Sequence, residues 1–167
     1  MGGIFHSVNK GIYMVREDLN APKNRYMLKD VQDSAREAGL KISFPPQVFP
    51  VNSVKAMRGC LWIAQDPQAR GLFVDFVEAV FAAYFGRDED ISQDEVLAEI
   101  CRKIVLDEQA FFAGSAMPDI KQQLKAYTDE AIRRGAFGSP TFFVGDDMYF
   151  GNDRLPLVRS AVLRARA

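Results

Sequence analysis

Two short motifs near the C-terminus, Ser139-Pro140 and Asn152-Asp153, carry groups suited to binding a peptide-like ligand. A cis bond before Pro140 would leave the N–H and C=O groups of Ser139 pointing outward, where an extended peptide could pair with them as an added strand does. Asn152 and Asp153 precede a predicted helix, whose N–H groups and positive dipole end could hold a carboxylate while Asp153 pairs with an amine. Two alternatives stay open: a trans proline that opens an edge strand, and an ordinary N-cap at the helix start.

A strand, a hairpin and a helix must position these motifs. Gly135 follows two arginines and is typical of a helix stop, after which Thr141–Val144 is a run of strand-forming residues. Residues 145–147 predict a turn, and residues 148–150 predict the returning strand. Apolar residues at helical spacing then predict a final helix over residues 154–166.

The middle of the chain is predicted to be almost entirely helical. Helix starts and ends are expected at Gly39, Asn52 as an N-cap, Ala64, the capping-box sequence Ser92 to Glu95, Ile104, Asp107, Gly114, Pro118 and Gly135. The only convincing strands are the late pair, and a two-stranded hairpin is marginal alone in water. The sequence therefore predicts part of an α/β fold, with a sheet that needs further strands or a covering helix.

The cysteines and the histidine do not form a recognisable redox or metal motif. Cys60 and Cys101 lie far apart within predicted helices, so the C-x-x-C pair of a dithiol enzyme is missing, and two buried reduced thiols are the simplest interpretation. A structural disulfide or a reactive thiol remains the alternative. His6 is the only histidine, and no cluster of nitrogen and sulfur ligands surrounds it, so no metal site is predicted.

Charge and hydropathy exclude several classes of protein. Lys and Arg number 21 against 22 Asp and Glu, and no long basic run could neutralise phosphates, which disfavours nucleic-acid binding. The N-terminus has no apolar signal core, and charged residues interrupt the most apolar stretch. A cytoplasmic protein without membrane attachment is expected.

Four stretches in the same order resemble the 2-hydroxychromene-2-carboxylate isomerases, which belong with the kappa-class glutathione transferases. They are Gly2-Gly3-Ile4-Phe5 with Asn9, Lys23 with Tyr26 and Asp30 in KNRYMLKD, Phe49-Pro50-Val51-Asn52-Ser53, and the C-terminal run GAFGSPTFFVGDDMYFGNDRL.

The resemblance implies a thioredoxin-like α/β fold of the kappa class, mostly helical, with a large helical insertion. Residues 1–28 would continue a truncated thioredoxin-like domain, residues 29–134 would form the insertion, and residues 135–167 would complete the thioredoxin-like domain. The family's strand-helix-strand opening should precede Gly2, and no segment is there to supply it. The sheet is therefore expected to be reduced, or completed by a partner.

The resemblance also implies glutathione as cofactor, a small-molecule aromatic substrate and a homodimer. In the family, the X-Pro bond is cis and the residue before it faces glutathione, so Ser139 and Pro140 would bind its cysteinyl unit. Asn152 and Asp153 would hold the γ-glutamyl end, and Lys23 would hold the glycyl carboxylate. Two asparagines, Asn9 and Asn52, would donate side-chain hydrogen bonds to the glutathione backbone.

The family's catalytic serine, which follows an apolar strand and activates the glutathione thiol, has no counterpart in this chain. We therefore nominate no catalytic residue. The leading hypothesis is a glutathione-dependent isomerase, in which the thiolate adds to an unsaturated aromatic-pathway substrate and later leaves. A kappa-class transferase, which keeps the adduct, is one alternative, and a non-catalytic remnant that dimerises by strand addition is another. A disulfide oxidoreductase is disfavoured because C-x-x-C is missing.

Overall fold

The computed structural model describes Ile4, Ser7, Val8 and residues 21–166, and it divides into two compact units. The helical unit runs from Asn20 to Lys125, and the C-terminal unit contains the chain from Ala126 onward. The predicted site residue Asn9 lies outside the described residues.

Helices build the helical unit. They are α1 (Pro22–Glu37), α2 (Val54–Gln65), α3 (Phe73–Phe81), α4 (Asp94–Lys103) and α5 (Glu108–Ala116). A 3-10 turn, Arg70–Leu72, precedes α3, and a π-helical turn, Ala82–Gly86, continues it. Helix α6, Pro118–Arg133, contains the boundary between the two units.

A hairpin and one helix form the ordered elements of the C-terminal unit after α6. Strand β1 (Thr141–Val144) pairs antiparallel with β2 (Asp147–Phe150), and the described residues contain this two-stranded sheet and no further strand. A 3-10 turn, Asn152–Arg154, leads into α7 (Leu155–Ala165). Strand β2 begins one residue before the predicted start, because Asp147 pairs with Val144 across a two-residue turn.

Close packing of α2 against α5 forms the centre of the helical unit. The largest fully buried side chains there are Ile63, Phe76, Leu97, Ile100, Cys101 and Phe111. The Phe111 ring lies 5.2 Å from Phe76 and 6.4 Å from Trp62, measured between ring centroids, so aromatic contacts join three helices. Helix α3 thus contributes Phe76 to a packed core.

Several predicted helix ends are confirmed, and each has a local cause. Asp107 accepts a hydrogen bond from the Ala110 N–H at 2.9 Å and so caps α5. Gly135 ends α6 with φ of 88°, and its N–H donates to the Ile132 carbonyl at 2.9 Å. Pro118 stands at the first residue of α6, where its missing N–H costs no intrahelical bond.

The predicted capping box at Ser92 is wrong, although a helix does begin there. The Asp90 carboxylate accepts hydrogen bonds from the Ser92 hydroxyl at 2.6 Å and from the Ser92 N–H at 3.0 Å. Because Asp90 takes the Ser92 hydroxyl, no side chain caps α4, and Gln93 occupies the N-cap position. Helix α1 begins at Pro22, a residue suited to the first turn of a helix.

The described residues contain neither a cluster that could bind a metal ion nor a helix that could span a membrane. Within residues 21–166 and the three described N-terminal residues, no group of three or more His, Cys, Asp and Glu side chains could hold a metal ion. None of the helices in this described part is both long and apolar enough to cross a membrane.

Candidate functional site

The Ser139-Pro140 turn lies directly beside the turn that carries Asn152 and Asp153. The Ser139–Pro140 bond is cis, and the Pro140 carbonyl accepts a hydrogen bond from the Gly151 N–H at 3.0 Å. This bond continues the register of the hairpin, in which Thr141 pairs with Phe150. The fold therefore brings together the two motifs that the sequence separates.

The backbone of Ser139 is available to a ligand. Ser139 and Pro140 are both exposed, and no described residue bonds to the Ser139 N–H or C=O. The Thr141 hydroxyl donates to the Gly138 carbonyl at 2.7 Å and closes the turn from the other side. An extended peptide could thus pair with the backbone of Ser139 without displacing a hydrogen bond of the protein.

Asp153 lies in the 3-10 turn just before α7, and its carboxylate is exposed to solvent. Its side chain is 67% exposed, and one oxygen lies 3.2 Å from the Arg154 guanidinium. The preceding Gly151 has φ of 108° and ψ of 149°, a combination that is essentially restricted to glycine. Helix α7 follows the 3-10 turn directly, and the positive end of its dipole favours an anion there, although Pro156 in its first turn has no N–H to donate.

Arg134 braces the hairpin, a role that the sequence reasoning missed. Its guanidinium lies 4.0 Å from the centroid of the Phe143 ring and donates a hydrogen bond to the Gly145 carbonyl. In the sequence, Arg134 indicates only the basic end of a helix before the Gly135 stop. No local pattern pairs Arg134 with Phe143, because the contact exists only once β1 folds back along the helix end.

Lys23 and Asn52 belong to the helical unit. Lys23 is exposed in the first turn of α1, has no ion pair with a described residue, and no acidic residue shares that turn. A cation there is unfavourable by about 0.3–1 kcal/mol, so its position is not explained by helix stability. Lys23 is therefore free to meet a ligand carboxylate.

Asn52 has one structural bond and one spare group. Its side-chain carbonyl accepts a hydrogen bond from the Val54 N–H at 3.2 Å. Helix α2 begins at Val54, one residue later than predicted, and Ser53 occupies the N-cap position without a side-chain bond. The predicted N-cap at Asn52 is thus wrong by one position, while its side-chain NH₂ group can still donate to a ligand.

The two cysteines are free thiols, as the simplest interpretation predicts. Burial raises the pKa of the Cys60 thiol to about 11 and that of the Cys101 thiol to about 12. Thiols with raised pKa are poor nucleophiles, because the thiolate is the reactive form.

We expect both thiols to react slowly with a chromogenic disulfide reagent in the native protein. For Cys60, a rise from 9.0 to about 11 lowers the thiolate fraction, by about a hundredfold at a pH near 8. Reaction rates measured by absorbance should fall by at least that factor relative to the same protein in urea, where both thiols react freely. Fast reaction of either cysteine in the native state would contradict the burial described here.

Comparisons with known proteins agree with the fold. The DSBA-like thioredoxin domain family matches residues 3–163. A 2-hydroxychromene-2-carboxylate isomerase of Pseudomonas putida is 30% identical over 139 residues, which cover 83% of this chain and 65% of that protein. Glutathione S-transferase kappa 2 of Caenorhabditis elegans is 27% identical over 169 residues, covering 94% of this chain and 72% of that protein.

A solved structure of 2-hydroxychromene-2-carboxylate isomerase superposes with a TM-score of 0.68 at 30% identity, covering 84% of this chain and 66% of that one. These matches confirm the predicted family resemblance and the mostly helical, thioredoxin-like fold. The chain spans 54% to 65% of the length of the two Pseudomonas isomerases that it matches.

Proposed function

Since this chain belongs to the DSBA-like thioredoxin domain family, where its relatives include isomerases and kappa-class glutathione transferases, we propose that it is a glutathione-dependent isomerase acting on a small aromatic substrate. The observation that carries the proposal is the hydrogen bond of 3.0 Å from the Gly151 N–H to the Pro140 carbonyl. That bond joins the exposed backbone of Ser139 to the exposed carboxylate of Asp153 in one surface, which suits a short peptide with a charged end.

Each end of glutathione has a matching group in this chain. The Ser139 N–H and C=O would pair with the cysteinyl unit, as in strand addition. Asp153 would pair with the γ-glutamyl ammonium group, while the N-terminus of α7 and Asn152 would hold the adjoining carboxylate. Lys23 would neutralise the glycyl carboxylate, and Asn9 and Asn52 would donate to the backbone amides.

Glutathione supplies the thiol that adds to the substrate, so the protein need not provide a nucleophile of its own. The two cysteines of the chain are poor candidates for a nucleophile of its own, because burial raises the pKa of the Cys60 and Cys101 thiols. They also argue against disulfide exchange, which requires an accessible low-pKa thiolate. Free thiols fit a reducing compartment, and we therefore propose the cytoplasm as its location.

Two other functions have support from particular observations. A kappa-class transferase is supported by the relative that this chain matches over 94% of its residues. A non-catalytic protein that dimerises by strand addition is supported by the two-stranded sheet of the described residues, whose Met148 and Phe150 side chains are partly exposed. Either would form a homodimer if the hairpin edge of one copy paired with that of another.

We expect isothermal titration to detect glutathione binding at millimolar or lower concentration. Asp153→Ala and Lys23→Ala should each weaken it at least about tenfold, a loss of about 1.4 kcal/mol, because each removes the counter-charge proposed for one end of the ligand. S-methylglutathione should bind comparably, because the proposed contacts do not use the thiol.

Asp146→Ala is the matched control, since Asp146 is an exposed carboxylate at the hairpin tip of the same unit. It should leave the affinity unchanged. If glutathione produces no heat while sedimentation shows a dimer, the strand-addition alternative is favoured. If Asp146→Ala and Asp153→Ala weaken binding equally, the proposed position of the γ-glutamyl end is wrong.

A further inference from the structure

The helical unit contains an apolar cavity of about 760 Å³. It lies between the C-terminal half of α1, residues 40–44, and the end of α3 with the π-helical turn. Its apolar walls include Val31, Leu40, Ile42, Phe44, Phe81 and Phe85. None of the residues proposed for glutathione lines it, so this cavity requires an explanation of its own.

Three phenylalanine rings form one wall of the cavity. Phe81 and Phe85 are stacked, with centroids 5.9 Å apart and planes inclined by 18°, and the Phe44 ring lies 6.4 Å from Phe85. Phe81 is 58% exposed, although an aromatic ring loses stabilising free energy when it is left in water. Stacked, partly exposed rings of this kind present a flat apolar surface to a planar ligand.

The aromatic wall is fixed from behind. The Ser43 N–H donates to the Phe85 carbonyl at 2.6 Å, and the Tyr84 hydroxyl donates to the Val48 carbonyl at 2.9 Å, so two adjacent residues of the π-helical turn are hydrogen-bonded to the loop between α1 and α2. Tyr84 itself is buried and packs edge-on against Phe85. Insertions of this type into α-helices are frequent at functional sites, and a preformed cavity of 300 to about 1,000 Å³ is typical of small-molecule sites.

The polar groups that line the cavity have no net charge. Lys41 and Glu78 are both exposed, neither forms an ion pair with a described residue, and Ser34 adds a hydroxyl. One cation and one anion in the lining give no net charge that would favour a ligand with a full charge of either sign. They do suit a group that donates and accepts hydrogen bonds, such as a phenolic hydroxyl.

We propose that this cavity binds a neutral, planar aromatic molecule of two or three fused rings that carries a hydroxyl or carbonyl group. The ligand rings lie against the wall formed by Phe44, Phe81 and Phe85, and the polar group reaches Lys41, Glu78 or Ser34. The site goes beyond the proposed function, because it needs neither glutathione nor the Ser139 and Asp153 surface.

The test is a titration of the full chain with 2-naphthol in the absence of glutathione, followed by the naphthol fluorescence. Phe81→Ala, which removes one stacked ring, and Ala82→Leu, which fills the cavity from an exposed lining position, should each raise the Kd at least about tenfold. Val74→Ala is the matched control, because Val74 is 61% exposed on the same helix and does not line the cavity. It should leave the Kd unchanged.

Several outcomes overturn the proposal. They are an absence of 2-naphthol binding, equal effects of Phe81→Ala and Val74→Ala, and tighter binding of 2-naphthoate or 2-naphthylmethylammonium than of 2-naphthol. A wild-type dimer that Phe81→Ala converts to a monomer would show that a second copy covers the cavity. Asp153→Ala should not alter 2-naphthol binding, so failure here is distinct from failure of the glutathione proposal.

Discussion

Placing a methyl group at Gly59 or at Gly114 is expected to lower the free energy of unfolding by about 2–3 kcal/mol. The two glycines lie on facing helices, α2 and α5, and each accepts an aromatic ring of the other helix. A Cβ atom on Gly59 would lie 2.2 Å from Cε2 of Phe111, and one on Gly114 would lie 2.3 Å from Nε1 of Trp62. Both distances are far below contact distance.

Neither ring can easily move away. Phe111 is fully buried, and its ring also packs against Phe76 and Trp62. Interiors packed at this density respond to an added methyl by shifting side chains off their rotamers or by separating the backbones. The two helices would therefore have to part, which loosens the core of the whole helical unit.

The sign of this effect is opposite to that of helix propensity. Glycine to alanine in an exposed helix interior normally stabilises by about 1 kcal/mol, so a destabilised Gly59→Ala would measure steric packing against that trend. Gly71→Ala is the control, because a Cβ there meets nothing within 4 Å. It should be neutral or slightly stabilising.

Urea unfolding followed by the fluorescence of Trp62, the single tryptophan, reports directly on this contact. Gly59→Ala and Gly114→Ala should shift the midpoint to lower urea, and Gly71→Ala should not. Wild-type stability in either core variant would mean that α2 and α5 do not approach as closely as described.

This packing also shows where sequence reasoning ends. Both helices were predicted, α2 from the Asn52 N-cap to Ala64 and α5 from Asp107 to Gly114, and both exist with ends that differ by one or two residues. Nothing in the local sequence indicates that Gly59 faces Phe111, because the two residues are far apart in sequence. A glycine within a helix is otherwise expected only to lower the stability of that helix. The contact follows from tertiary packing alone.

The same limit explains the errors at helix starts. The Ser92 capping box satisfies its pattern, yet Asp90, two residues earlier, takes the serine hydroxyl at 2.6 Å. Side chains of aspartate and serine compete for the same backbone and hydroxyl groups, and a pattern that reads only one of them cannot rank the outcomes. The π-helical turn after α3 is likewise invisible to a period of 3.6 residues.

The C-terminal motifs were predicted more fully, because turn chemistry is local. Gly135 and the Thr141–Val144 strand were identified from residue types alone and are confirmed. What the sequence could not supply was the hydrogen bond between Gly151 and Pro140, which depends on hairpin register. That bond is what places Asp153 beside the Ser139 turn.

Gly151→Ala is therefore expected to impair both stability and the proposed binding of glutathione. Its φ of 108° is unfavourable for any other residue by about 1–3 kcal/mol. A Cβ atom would also lie 2.6 Å from an Asp153 carboxylate oxygen. Because the Asp153 side chain is exposed and can rotate, it should turn away from the added methyl, which removes it from the γ-glutamyl ammonium group.

Gly145→Ala separates the two effects. Gly145 also has positive φ, 59°, but a Cβ there meets nothing within 4 Å. It should cost about 1–2 kcal/mol of stability and leave glutathione affinity unchanged, whereas Gly151→Ala should weaken that affinity at least about tenfold. Thermal unfolding and isothermal titration on the two variants, at a temperature where both are folded, measure these quantities. Equal affinities would mean that Asp153 takes no part in binding, while the stability loss at Gly151 would still follow from its backbone angle.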